Sequence, residues 1–227
     1  TDGFGRAAAP AGASTGKAEI VSYPEGGVNA AIIKLEELII PELLGMDAEE
    51  QNEIDALLHE IDETDDFSNI GGNTVFAISL ANAEAAATSY DLPLFQYLSG
   101  YSGNELPYPL GNVLGGGKHE LGKTTDIKEF KVLPQKARNF TESAIANIIL
   151  HQKIGNLLRE VNSNFTGGRG DEGALTSNIN NEEALRIVSN ACKELSEELN
   201  IECRPCIDVA ASSFWDPKEE VYFYSMD

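Results

Sequence analysis

The sequence predicts a mixed α/β chain in two parts, a helical first part and a second part that runs strand, strand, helix, helix, strand. Three observations predict this. Apolar residues recur at helical spacing along most of residues 28–98. A Gly- and Pro-rich stretch at 99–107 then reads as a linker. After it come two short apolar runs, two long amphipathic segments and a final apolar run.

In chain order, residues 1–17, TDGFGRAAAPAGASTGK, are rich in small residues and read as a strand end entering a loop of the kind that closes over ligands. Residues 23–27 form a turn. Val28, Ile32, Leu35 and Ile39 then mark a helix that Pro41 is expected to stop. Asp47 with Glu50 reads as a capping box for a helix whose apolar face is Ile54, Leu57, Leu58 and Ile61, with His59 beside it as a structural or surface residue. The acidic run 62–66 reads as a solvated loop. Gly71 and Gly72 precede an Ala-rich helix, 73 to about 90, whose Ala81, Ala83, Ala85, Ala86 and Ala87 admit close neighbours and place it at the centre of the first part. A short helix follows at 92–98.

In the second part, Asn112–Leu114 and Phe130–Leu133 read as the strands of a hairpin, and Gly115, Gly116 and Gly117 call for unusual backbone angles or a close approach to a ligand. Thr141 reads as the cap of a helix burying Ile145, Ile148, Ile149, Leu157, Leu158 and Val161. A polar loop, 162–178, carries Asp171 and Glu172. A helix over 181–199 turns Leu185, Val188, Cys192, Leu195 and Leu199 inward, and the strand 206–209 contains Asp208.

The totals exclude several function classes. With 227 residues, 42% of them hydrophobic, the chain can bury one large core or two modest ones. A net charge of -21, from 37 acids against 16 bases, repels nucleic-acid backbones and anionic membranes and favours cations as partners. Small anionic substrates remain possible where divalent ions reverse the local field. No apolar run approaches the roughly 20 residues that span a bilayer, and no signal-peptide pattern opens the chain. The absence of an initial Met is expected of a piece of a longer gene product. Three cysteines are too few for a disulfide framework and point to a reducing compartment. Cys203–Cys206 has the redox CxPC spacing, but an apolar strand surrounds it and chance is the better reading. The sequons at Asn139 and Asn164 are silent in a cytosolic protein.

Gly117, Gly122, Lys123 and Thr124 satisfy the phosphate-loop pattern, whose mechanism requires a long helix starting at Lys123. A strand reads there instead, which favours a hairpin loop with His119 near one end and Glu129 at the other. From the residues alone, each candidate has a bland rival. Asp208 in an apolar strand is costly to bury without a partner, which favours a functional or paired role. Glu172 and Asp171 could equally cap a turn, Glu129 could be a solvated strand-edge acid, His119 says little by itself, and Ser14 could be a turn residue.

Seven blocks, in order, carry a resemblance: GASTGK at 12–17, IGGNTVFAISLANAEAAA at 70–87, LPLFQYLSG at 92–100, GGKH at 116–119, EFKVLP at 129–134, GDEG at 170–173 and IDVAASSF at 207–214. Together they resemble the enolase family over nearly the whole chain. The resemblance implies an α+β N-terminal domain at 1–100, incomplete at its start, followed at 106–227 by the beginning of an enolase-type α/β barrel of TIM-like form. Such barrels open with two antiparallel strands and two helices, so Glu129, at the start of its strand, would face the same mouth as His119.

The implied activity is Mg2+-dependent dehydration of 2-phosphoglycerate to phosphoenolpyruvate in glycolysis and gluconeogenesis. By resemblance Asp208 is the first of three carboxylate ligands to one magnesium ion, and Ser14 a lid residue closing onto a second. Glu172 looks like the acid acting on the departing hydroxyl, with Glu129 beside it and His119 moving in with substrate. The lysine base, the other metal carboxylates and the phosphate contacts would follow Asp227, and five barrel elements alone cannot close a barrel. A cytoplasmic protein, at least a homodimer, is implied. Departures from the family pattern are Gly115 for Asn, Lys128 for Gln, Ala174 for Gly, Ser213 for Glu, a 119–129 loop one residue longer, and a short 20–27 segment after GASTGK. The alternative is a non-catalytic relative that acts as a binding scaffold.

Overall fold

The computed structural model describes residues 3–10, 12, 16, 18–117 and 124–224. The chain forms two compact units, residues 1–105 and 106–227.

In the first unit, residues 3–10 run extended along the helix Gly72–Ser89, with the Phe4 amide donating to Thr88 Oγ1 (2.9 Å) and the Arg6 amide to Glu84 (2.6 Å). The approach is possible because a Cβ on Gly5 would stand 1.8 Å from the Ala81 carbonyl oxygen. Ala83, Ala86 and Ala87 of the same helix are buried. A small core of Ile39, Leu58, Phe67 and Ile70 joins the remaining elements.

Three expectations for this unit are corrected. Pro41 does not stop the first helix, which runs Gly27–Lys34, widens into a π-turn at Leu35–Ile39 and continues through Ile40–Leu43. The wider turn accommodates a residue that has no N–H and would collide with the carbonyl four residues back. The Asp47/Glu50 capping box does not form. Asp47 accepts from the Glu49 amide at 3.0 Å, and the helix Gln51–Asp62 begins without a side-chain cap. The acidic run is not wholly solvated, because Asp62 is buried and its carboxylate accepts from the amides of Thr64 (3.1 Å) and Ile70 (2.7 Å). A buried carboxylate persists only with such donors.

The second unit is built on a four-stranded sheet of order β3-β1-β2-β4, with β1 Gly111–Gly115, β2 Glu129–Gln135, β3 Leu175–Thr176 and β4 Glu202–Asp208. β2 is antiparallel to both β1 and β4, and β3 is parallel to β1. Phe130 and Val132 are fully buried with Leu114, Leu150, Ile154, Leu158, Val188 and Leu195 in one core, so this face of the sheet is covered by the helices Phe140–Val161 and Asn181–Leu199.

Asn139, not Thr141, caps the first of these helices, its side chain accepting from the Glu142 amide at 2.9 Å. Asn180 does the same for Glu183 in the second. The buried stripe of Phe140–Val161 is Ser143, Ala146, Leu150, Ile154 and Leu158, while Ile145 and Ile148 are 50% and 60% exposed and Val161 is exposed too. Small residues let the helix sit close on the sheet, and this turns the isoleucines away. Leu185 and Leu199 are likewise exposed, whereas Val188, Cys192 and Leu195 are inward as expected. No helix among the described residues is long and apolar enough to cross a membrane.

Candidate active site

Alternation along β2 sends Phe130 and Val132 to the helices and Glu129 and Lys131 to the opposite face. Register then supplies their neighbours. Glu129 is paired with Asp208 of β4 and with Gly115 of β1, and Asn112 lies across from Lys131. The loop before β3 brings Glu172 to the same place.

Contacts link these groups in a chain. Asn112 Nδ2 donates to Glu129 Oε1 at 3.0 Å and to Glu172 Oε2 at 3.1 Å. Lys131 Nζ lies 2.5 Å from Glu129 Oε2 and 4.0 Å from Asp208 Oδ2, and Lys128 Nζ is 3.9 Å from Glu172 Oε1. Glu129 is 6% exposed, whereas the side chains of Glu172 and Asp208 are each 47% exposed. A buried carboxylate thus stands between two that solvent or a ligand can reach. Asn112 Oδ1 is buried without a hydrogen-bond partner among the described residues.

A hydrogen bond with the Glu129 carboxyl is the first cause holding Glu172 below the usual carboxylate range; the Lys128 charge and the Asn112 amide act in the same direction, against desolvation and the charge of Asp171. Asn112 joins the two carboxyls and a lysine stands beside each, so the half-open Glu172 carboxyl is placed to exchange a proton with an oxygen on the open side.

The loop that follows β1 is tight against its own chain. A Cβ on Gly116 would lie 2.0 Å from Thr125 Oγ1, and Gly117 has φ +77°, so the close approach required here is to Thr125. Asn181 at the start of its helix accepts from the Ile127 amide at 3.1 Å and donates to Asp126 at 3.3 Å, fixing the entry to β2. No helix begins between Thr124 and β2, which removes the support that a phosphate loop needs. His119, Ser14 and Lys123 lie outside the described residues. Cys203 is buried within β4 and not at a helix N-terminus, so the CxPC spacing has no redox setting there.

Asp208 offers a hard oxygen donor. Its Oδ1 accepts from the Ala210 amide at 3.1 Å, its Oδ2 faces Lys131, and the side chain is half-open. It fits as one ligand of a divalent cation, though no group of three His, Cys, Asp or Glu side chains among the described residues makes a complete site.

Profiles of known families match both parts of the chain. The profile described as enolase, N-terminal domain, matches residues 1–98, and that described as enolase, C-terminal TIM barrel domain, matches 103–227. The chain belongs to the enolase family. Curated relatives named enolase include that of Methanosphaera stadtmanae, 49% identical over the whole of this chain and 55% of the relative, and that of Methanothermobacter thermautotrophicus, 47% identical over the whole chain and 54% of the relative. That of Pyrobaculum aerophilum is 43% identical over 96% of this chain and 52% of the relative. The chain therefore spans about half the length of the enolases it matches.

Sequence reasoning named Glu129, Glu172 and Asp208 but missed Asn112 and Lys131. A polar residue inside an apolar strand was the available signal for Asn112. For Lys131 the signal was its position two residues from Glu129, hence on the same face of the strand.

Proposed function

We propose that this chain forms part of an enolase that dehydrates 2-phosphoglycerate to phosphoenolpyruvate with Mg2+, in a cytoplasmic protein that is at least a homodimer. The observation that carries the proposal is the continuous link Glu172–Asn112–Glu129–Lys131–Asp208 on the open face of the sheet, together with the family membership. Dehydration removes a proton next to a carboxylate and expels the neighbouring hydroxyl as water. The chain's own part is the second step: Glu172 gives the proton that lets the hydroxyl leave, and Glu129, held by Asn112 and Lys131, keeps that acid oriented. Asp208 would offer one oxygen to a divalent cation, which would supply positive charge against the anionic substrate. His119 and Ser14 complete the proposal as residues that close on the substrate and a second cation.

The test is a phosphoenolpyruvate-forming assay on the full-length protein, with and without a chelator. Turnover that chelation abolishes is expected. A folded protein that makes no phosphoenolpyruvate with excess Mg2+ would instead support the scaffold reading.

A further inference from the structure

We infer that Lys131 is a resident cation of the carboxylate face, which holds Glu129 and Asp208 together in the metal-free protein and weakens divalent-cation binding at Asp208. The inference rests on the reading of Asp208 as a metal ligand and adds a residue that sets the affinity. Two β2 residues separated by one share a face, and residues directly opposed across antiparallel strands do so as well, so Glu129, Lys131 and Asp208 converge by backbone geometry alone. The ammonium is in contact with Glu129 at 2.5 Å and stands 4.0 Å from the Asp208 oxygen that the Ala210 amide leaves open. Its side chain is only 21% exposed, so solvent screens the charge less than at the surface.

A dication bound at Asp208 Oδ2 must share that oxygen with the ammonium or push it aside. Lys128 Nζ stands 3.9 Å from Glu172 Oε1, on the side of the network away from Asp208. The repulsion between a unit and a double charge a few ångströms apart corresponds to an affinity loss of at least about tenfold, even at the screening of bulk water.

Calorimetric titration of Mg2+ into the substrate-free full-length protein tests this. Lys131→Met is expected to tighten binding at least about tenfold, and Lys131→Arg to stay within about threefold of the parent. Lys131→Gln, which keeps a donor for Glu129 without the charge, serves where the methionine variant melts too early and is expected to show the same gain. Unchanged or weaker binding in a folded Lys131→Gln protein overturns the inference and leaves Lys131 as the counter-ion of Glu129 only. If Asp208→Asn abolishes binding while the Lys131 variants change nothing, the metal reading stands and this inference fails. If the parent protein binds no Mg2+, both fail.

Discussion

The two faces of the second unit's sheet are made by the same strands and obey opposite rules. On one, Leu114, Phe130 and Val132 are fully buried against two helices. On the other, one residue along β2 and across a register shift in β1 between Asn112 and Leu114, Asn112, Glu129, Lys131 and Asp208 form a polar network that solvent can partly reach. The first face derives its stability from removing apolar area from water and tolerates changes that conserve volume. The second contains a buried carboxylate that persists only because an amide and an ammonium satisfy it. A fold can therefore be kept by one set of alternate residues while the other set is free to carry chemistry.

Substitutions on each face should separate the two roles. The largest effect is expected from Glu172→Gln, which removes the proposed acid from a half-open position. Phosphoenolpyruvate formation by the full-length protein should fall about a thousandfold while the thermal melt stays within a degree or two. Full activity in that variant would remove the assignment. On the opposite face, Phe130→Ala should cost about 3–5 kcal/mol in urea unfolding by leaving a cavity in the core. A cost below about 1 kcal/mol would mean that this face is not what holds the unit together.

Smaller effects sharpen the division. Asn112→Leu should lower activity about tenfold or more by releasing the bridge between the two glutamates, and it should also raise the pH at which Glu172 protonates, because a donor that favours its charged form is lost. Because Glu172 must hold its proton to act as the acid, a pH–rate profile with an unmoved alkaline limb would contradict the bridge. Cys192 tests the buried side by chemistry: burial pushes its thiol up to about 12, so it should resist alkylation at pH 8 in the folded protein while the more open Cys206 reacts. Because the folded state then holds a proton that the unfolded state gives up, Cys192 also makes stability fall as pH rises from the ordinary thiol range towards 12. Smallest of all, Asn139→Ala should cost about 1 kcal/mol through loss of the helix cap.

The apolar face was readable from sequence because period-two and helical spacing are local signals. Phe130, Leu158 and Leu195 follow from them directly. The polar face was readable only in part. Glu129, Glu172 and Asp208 stood out through a family pattern, but the bridging of two of them by Asn112 depends on strand register, and no local rule gives the register between residues 112 and 172. For Lys131 the spacing from Glu129 was a local signal, but its second partner, Asp208, is far along the chain and follows only from register. The misplaced details have local causes. A π-turn absorbed Pro41, Asp62 found buried amides to accept from, and Ser143 and Ala146 drew their helix close enough to turn Ile145 and Ile148 outward.

The central claim is that Glu172 and Asp208 act as one unit across the sheet. A double-mutant cycle on kcat/KM for phosphoenolpyruvate formation, using Glu172→Gln, Asp208→Asn and the pair, tests it most directly. The account predicts that the double variant is no more than about tenfold worse than the poorer single variant. Losses that multiply in full would contradict it.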